Sequence, residues 1–172
     1  MDVAGKKIVL VGFGKTGRAL ARFLIRRKAE VTVSELREEG QLEVDTRKWK
    51  ERGVAFETGK HRALTFVTAD LVVPSPGAAS LPELEAAKNA GAQVLSEIEL
   101  ASRFLKGKIV GITGTNGKST TAALTHRILK EAGLKAFLAG NIGTPLISFA
   151  QKSRPDHIYV TEISSFQLEH LE

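Results

Sequence analysis

Residues 111–120 read GITGTNGKST and follow the apolar pair Ile109 and Val110. A phosphate-gripping loop is written G-x-x-x-x-G-K-[ST]. Its backbone N–H groups wrap the phosphates, its lysine adds a point charge, and its hydroxyl helps to hold Mg²⁺. Gly117, Lys118 and Ser119 supply the end of that pattern, whereas Ile112 stands where its first glycine belongs; glycines fall instead at Gly111 and Gly114. The mechanics survive the altered spelling. A strand enters, a glycine turn follows, and a helix begins with the positive end of its dipole toward the turn. A nucleoside triphosphate is therefore the expected ligand of Gly114, Thr115, Asn116, Gly117, Lys118, Ser119 and Thr120, with Lys118 on the phosphates and Ser119 or Thr120 beside Mg²⁺. The competing reading is a tight turn in which Thr113, Thr115 and Asn116 only cap a helix.

A second glycine turn opens the chain. Gly12, Gly14 and Gly17 follow an apolar run and precede a helical pattern, and Glu35 lies 18 residues beyond Gly17 at the end of the next apolar run. That is the dinucleotide fingerprint: a tight turn, a close backbone approach to a pyrophosphate, and a carboxylate for a ribose hydroxyl. Alone it suggests NAD, or only a turn that lets helix and strand pack closely.

The elements that must position these loops follow from periodicity. Strands are expected at residues 7–11, 30–33, 54–57, 71–74, 93–95, 108–112, 135–139 and 158–161, and helices at 16–27, 42–51, 82–90, 97–104 and 119–132. Strands alternating with helices indicate an α/β fold with parallel sheets. LKGK at 105–108 separates a finished series from a fresh strand, so the expected division is 1–106 and 107–172. The second block is expected to be incomplete, because three parallel strands leave apolar faces uncovered. Glu162 ends its strand and should emerge at the same sheet edge as the loop after Ile112.

Composition excludes several chemistries. With no cysteine among 172 residues there is no disulfide, thiolate nucleophile or cysteine metal site. A net charge of +6 favours anionic partners without separating nucleic acid from phosphorylated metabolites. No apolar run approaches the roughly 20 residues that span a bilayer, and no signal-peptide pattern is present. A cytoplasmic protein without membrane association is expected. His61, His126, His157 and His170 lack metal-ligand spacing and read as structural or solvated. The basic stretches at 26–28 and 47–52 contain one aromatic residue, Trp49, and read as solvated surface rather than a nucleic-acid site.

The GITGTNGKSTT stretch resembles the ATP-binding loop of the Mur ligase family, which spells it T-G-T-N-G-K-[ST]. VGFGKTGRALARFL at 11–24, SPG at 75–77, GNIGTP at 140–145 and EISSFQLE at 162–169 extend the resemblance over essentially the whole chain, toward members that add D-glutamate. It covers less than half of a complete ligase. It implies a Rossmann-like domain followed by the truncated start of a P-loop ATPase domain. It also implies ATP and Mg²⁺ as cofactors, UDP-N-acetylmuramoyl-L-alanine and D-glutamate as substrates, amide ligation through an acyl phosphate, and a monomer.

Carried residue by residue, the resemblance puts Gly14, Lys15, Thr16 and Gly17 at the UDP pyrophosphate. Glu35, Leu36 and Arg37 would line the uridine pocket, with Ser75 and Gly77 closing its wall. The family commonly has an Asp-Thr-Arg-like triplet where this chain has Glu-Leu-Arg; Arg37 keeps the planar cation, and Leu36 lacks the hydroxyl. Lys118 and Glu162 are the implied catalytic groups, with Mg²⁺ on Ser119 and Glu162. Asn141 is implied to contact the muramoyl-peptide side of the substrate, and Ser164 and Gln167 to support the metal or the substrate. The family's D-glutamate pocket, metal-site histidine and modified lysine are expected beyond Glu172, so this segment alone is expected to be inactive. Two other classes fit parts of the sequence: a nicotinamide-dependent oxidoreductase or redox-sensing module, and a non-catalytic ATP-binding regulator.

Overall fold

The computed structural model of the chain describes residues 1–75, 78 and 81–168. The chain divides into two compact units, Met1–Ser96 and Glu97–Glu172. In the first, β1 (Lys7–Val11), β2 (Glu30–Glu35), β3 (Val54–Thr58), β4 (Leu71–Pro74) and β5 (Gln93–Val94) form one parallel sheet in the order β3-β2-β1-β4-β5. Helices α1 (Lys15–Arg26), α2 (Thr46–Lys50), α3 (Ala63–Val67) and α4 (Pro82–Asn89) connect the strands.

The central strands are apolar at successive positions because both faces are covered. Ile8, Val9, Leu10, Val11, Leu71, Val72 and Val73 are all buried. Val9, Val11 and Val72 pack with Phe66 of α3 and Leu84 and Ala87 of α4. Strand alternation turns Ile8 and Leu10 to the opposite face. Helix α1 buries Gly17, Leu20, Ala21 and Leu24, spaced i, i+3, i+4 and i+7, as one stripe. Each large side chain so buried contributes about 1.5–3 kcal/mol. The helix stripe and the strand runs were both legible as patterns.

Short elements departed from expectation. Residues 42–51 do not form one helix. Glu38 and Gln41 close a 3-10 turn at Glu39–Gln41 by reciprocal bonds, and Asp45 then caps a shorter α2 by accepting from the Arg47 N–H. Side chains bonding to nearby backbone outcompeted helix continuation. Helix α3 was not expected, since five residues are too few to show a period.

The second unit contains α5 (Glu97–Ser102), β6 (Lys108–Ile112), α6 (Lys118–Glu131), β7 (Lys135–Gly140), a 3-10 segment Leu146–Lys152, β8 (His157–Glu162) and α7 (Ser165–Leu168). Its strands are parallel in the order β6-β8-β7. Val110 on β6 and Leu124 and Ile128 on α6 are exposed.

The compact units part at Ser96 and Glu97, earlier than the division expected near Lys106. The cause is a buried carboxylate. Glu97, 4% exposed, accepts the Ile147 N–H at 2.7 Å and so ties α5 to the 3-10 segment. Burial pushes its carboxyl up to about 7, against the opposing effect of N–H bonds from Ile147 and Leu146. A folded-state pKa above the ordinary 4.5 means that the folded chain holds this proton more tightly. The resulting stability is complete below about pH 4.5 and is lost as pH rises through about 7. Glu97→Gln is expected to remove a decline of up to about 3 kcal/mol between these limits. Urea unfolding of both proteins at pH 5 and pH 8 measures it, and parallel pH slopes would contradict it.

Candidate functional site

The first candidate site is a cleft of about 320 Å³ at the carboxyl edge of the first sheet. It opens where the chain's path switches direction between β1 and β4, the place where open α/β sheets bind ligands. Gly12, Phe13 and Gly14 line it after β1, Ser34, Glu35, Leu36 and Arg37 at the end of β2, and Ser75 after β4. Lys15 opens α1 next to this lining, while Thr16 and Gly17 stand behind it in a narrow crevice with Leu20 and Ser75. Gly77 lies outside the described residues. A side chain at Gly17 would collide with the Gly12 carbonyl, so strand and helix can close on each other only with glycine there.

Glu35 was expected to meet ribose or uridine; the structure gives its carboxylate other partners. One oxygen accepts the Phe13 N–H at 3.2 Å and the Arg37 guanidinium at 2.8 Å, and the other accepts Arg37 N–H and Nε at 3.2 and 3.3 Å. Burial pushes the Glu35 carboxyl up, but these bonds from Arg37 and Phe13 and the guanidinium charge outweigh it and hold the carboxyl below its ordinary value. Glu35 thus anchors the glycine turn and aims Arg37. Phe13 secures the same turn from beneath, edge-on to Trp49 at 5.2 Å and to Phe56 at 4.9 Å. Trp49 is buried, with Arg22 and Arg52 each 5.8 Å from its ring centre.

His61 also lines the cleft, although the sequence offered no reason to place it there. It follows β3, a neighbour of β2, and reaches across to the Ser34 hydroxyl at 2.7 Å. Only strand order reveals that proximity.

The second candidate site lies at the carboxyl edge of the second sheet. Thr113, Gly114, Thr115, Lys118, Ser164 and Ser165 line a cleft of about 480 Å³. Helix α6 begins after Gly117 without a side-chain cap, so neither Thr115 nor Asn116 takes the capping role of the competing reading. Its first N–H groups remain available for an anion. Lys118 Nζ folds over the loop and donates to the carbonyls of Gly114 at 2.7 Å and Thr115 at 3.3 Å. Thr120 follows on α6.

Behind the loop two side chains meet at Glu162. Ser119 Oγ donates to one carboxylate oxygen at 2.7 Å, and Asn141 Nδ2 donates to the other at 3.0 Å. The Asn141 backbone N–H also donates to the Glu162 carbonyl at 3.1 Å. Burial pushes the carboxyl up; the bonds from Asn141 and Ser119 and the Lys118 charge reverse this and hold it below its ordinary value. Glu162 is therefore held as an ionised, oriented carboxylate. Asn141, expected at the substrate, also orients that carboxylate. Ser164 and Gln167 bond each other: the Ser164 N–H and hydroxyl donate to Gln167 Oε1 at 2.9 and 3.1 Å, which closes the start of α7.

The donor set fits Mg²⁺. A hydroxyl and a carboxylate 2.7 Å apart are hard oxygen ligands. Among the described residues, no group of three or more His, Cys, Asp or Glu side chains forms a metal cage. Mg²⁺ commonly keeps waters and phosphate oxygens in its remaining positions and needs no such cage.

Residues 6–96 match the family model described as Mur ligase MurD-like, N-terminal domain, and residues 112–172 match the Mur ligase middle domain. The chain is 48% identical over 173 residues to UDP-N-acetylmuramoylalanine--D-glutamate ligase of Koribacter versatilis and 43% identical to that of Desulfatibacillum aliphaticivorans. Both alignments cover 100% of this chain, which spans only 38% of each relative's length. Among solved structures, a pseudomurein peptide ligase type C from Methanothermus fervidus is 29% identical with a TM-score of 0.51, over 93% of this chain and 33% of that one. UDP-N-acetylmuramate:L-alanyl-gamma-D-glutamyl-meso-diaminopimelate ligase from Neisseria meningitides is similar in fold at 23% identity, with a TM-score of 0.52 over 92% of this chain and 52% of that one.

Proposed function

The chain belongs to the Mur ligase family, and from that membership we propose that it supplies the nucleotide-handling part of an ATP-dependent ligase that adds D-glutamate to UDP-N-acetylmuramoyl-L-alanine. The substrate carboxylate takes the γ-phosphoryl group of ATP to give an acyl phosphate. The D-glutamate amino group then attacks the acyl carbon and phosphate leaves. Helix α6 N–H groups and Lys118 would bind the phosphates, Ser119 and Glu162 would hold Mg²⁺, and Asn141 orients the Glu162 carboxylate. Bound Mg²⁺ supplies neutralisation of charge on the phosphates. In the first unit, the glycine turn receives the UDP pyrophosphate and Arg37 offers its planar cation to the base.

The observation that carries this reading is the meeting of Ser119, Glu162 and Asn141 behind the Lys118 loop, because residues far apart in sequence there bring a hydroxyl and an oriented carboxylate together beside the glycine turn. The NAD reading needs a carboxylate ready for ribose hydroxyls, whereas both Glu35 oxygens already accept from Arg37 or Phe13. It also leaves the second loop without a task. We assign the activity to the cytoplasm, where ATP is available; among the described residues no helix is long and apolar enough to cross a membrane.

Calorimetric titration of the chain with UDP-N-acetylmuramoyl-L-alanine, UDP and NADH tests the first unit. Heats are expected with both uridine nucleotides and none with NADH. NADH binding without a UDP response would sink the proposal.

A further inference from the structure

Resting on the reading of the first cleft as a UDP site, we propose that His61 is a further ligand-binding residue there, offering its Nε2–H to an acceptor on the nucleoside half of the bound nucleotide. Ser34 fixes both the orientation and the tautomer of the ring. The Ser34 residue is fully buried, and its hydroxyl bonds only to His61 Nδ1, at 2.7 Å, among the described residues. A buried hydroxyl proton needs an acceptor. If Nδ1 carried the hydrogen and donated to Ser34 Oγ, that proton would have none. The arrangement that satisfies both groups has Ser34 donating to Nδ1, which leaves the hydrogen on Nε2.

The ring is held on a second side. Phe66, fully buried, lies 5.8 Å away at 78°, an edge-to-face contact. With Nδ1 bound to Ser34, Nε2 is the ring nitrogen left for a ligand of the cleft that His61 lines. An oriented donor already bound on its inner side is the usual form of a recognition group in a pocket.

Strand order selects the nucleoside half. The sheet runs β3-β2-β1, and the phosphate-approaching glycine turn follows β1. In this topology the ribose side of a nucleotide extends toward the end of β2. His61 arrives from beyond β3 and joins Leu36 and Arg37 on that side.

The test uses the chain with UDP and uridine. His61→Phe keeps an aromatic ring against Phe66 and removes Nε2–H. It is expected to weaken binding of both ligands about three- to tenfold, the loss typical of one hydrogen bond. His61→Gln, whose amide N–H can reach the position of Nε2, is expected to restore binding to within about twofold. Unchanged UDP affinity in His61→Phe would overturn the proposal, as would a loss seen with UDP and not with uridine. Should His61→Phe fold poorly, histidine ¹⁵N spectra of the unaltered chain decide. The His61 signal, assigned by its absence from the spectrum of His61→Gln, should show the Nε2–H tautomer and shift at Nε2 when UDP is added. An Nδ1–H tautomer, or no shift on saturation with UDP, would also overturn it. Failure of the unaltered chain to bind UDP at all would instead defeat the reading of the cleft.

Discussion

Lys118→Ala is expected to lower phosphate release by a ligase of the relatives' full length about 10²–10³-fold, while the UDP affinity of the first unit stays within about twofold. The effect is large because the ammonium sits at the loop mouth on two backbone carbonyls, 2.7 and 3.3 Å away, where a transferring phosphoryl group would develop charge. Removing it subtracts a fixed cation from that position and leaves the α6 N–H groups to act alone. Lys118→Arg should recover little, since a planar fork cannot replace a point charge in the same narrow turn. Separate assays of phosphate release and UDP binding check both halves, and wild-type turnover in Lys118→Ala would refute the role assigned to the lysine.

Gly140→Ala is expected to destabilise the second unit by about 3 kcal/mol or more. Gly140 ends β7 with φ +93°, a region that L side chains rarely adopt. An added Cβ would also run into the Glu162 carbonyl and the Thr161 side chain. Gly133 gives the internal comparison: its φ is +77°, but a Cβ there meets nothing within 4 Å. Gly133→Ala should therefore cost only about 1 kcal/mol. The difference isolates the collision. That collision would push β7 from β8 and pull Asn141 off Glu162, so Mg²⁺-dependent nucleotide binding should weaken with it. Urea unfolding of the two variants, with ATP titration in Mg²⁺, measures both effects. Equal costs at the two glycines would contradict the close approach of Gly140 to Glu162.

The sequence was most informative where a pattern is local. The apolar runs of β1 and β4 and the stripe of α1 are periodicities of neighbouring residues, so the parallel α/β architecture is legible in the sequence. Both glycine turns were equally local, because a strand, a turn and a helix written consecutively already constitute a phosphate-binding geometry. Short elements were less legible. Helix α3 and the 3-10 segment Leu146–Lys152 contain too few residues for a period to emerge, and the stretch 42–51 broke where Glu38, Gln41 and Asp45 bonded to nearby backbone.

Glu162 and Ser119 could be named from the sequence, but their 2.7 Å contact could not, because it depends on β8 inserting between β6 and β7. The same insertion brings Asn141 onto Glu162 and explains the glycine before it. Glu35 kept the position expected of it and acquired a different task once Arg37 and Phe13 were found on its two oxygens. His61 was invisible until strand order put β3 beside β2. By itself the sequence determined the strands and the two glycine turns with the helices that follow them, since backbone conformation and periodic burial are encoded by adjacent residues. Only the tertiary structure decided which groups each carboxylate accepts from and which side chains meet, because a hydrogen bond across a sheet edge depends on strand order and register rather than on spacing along the chain.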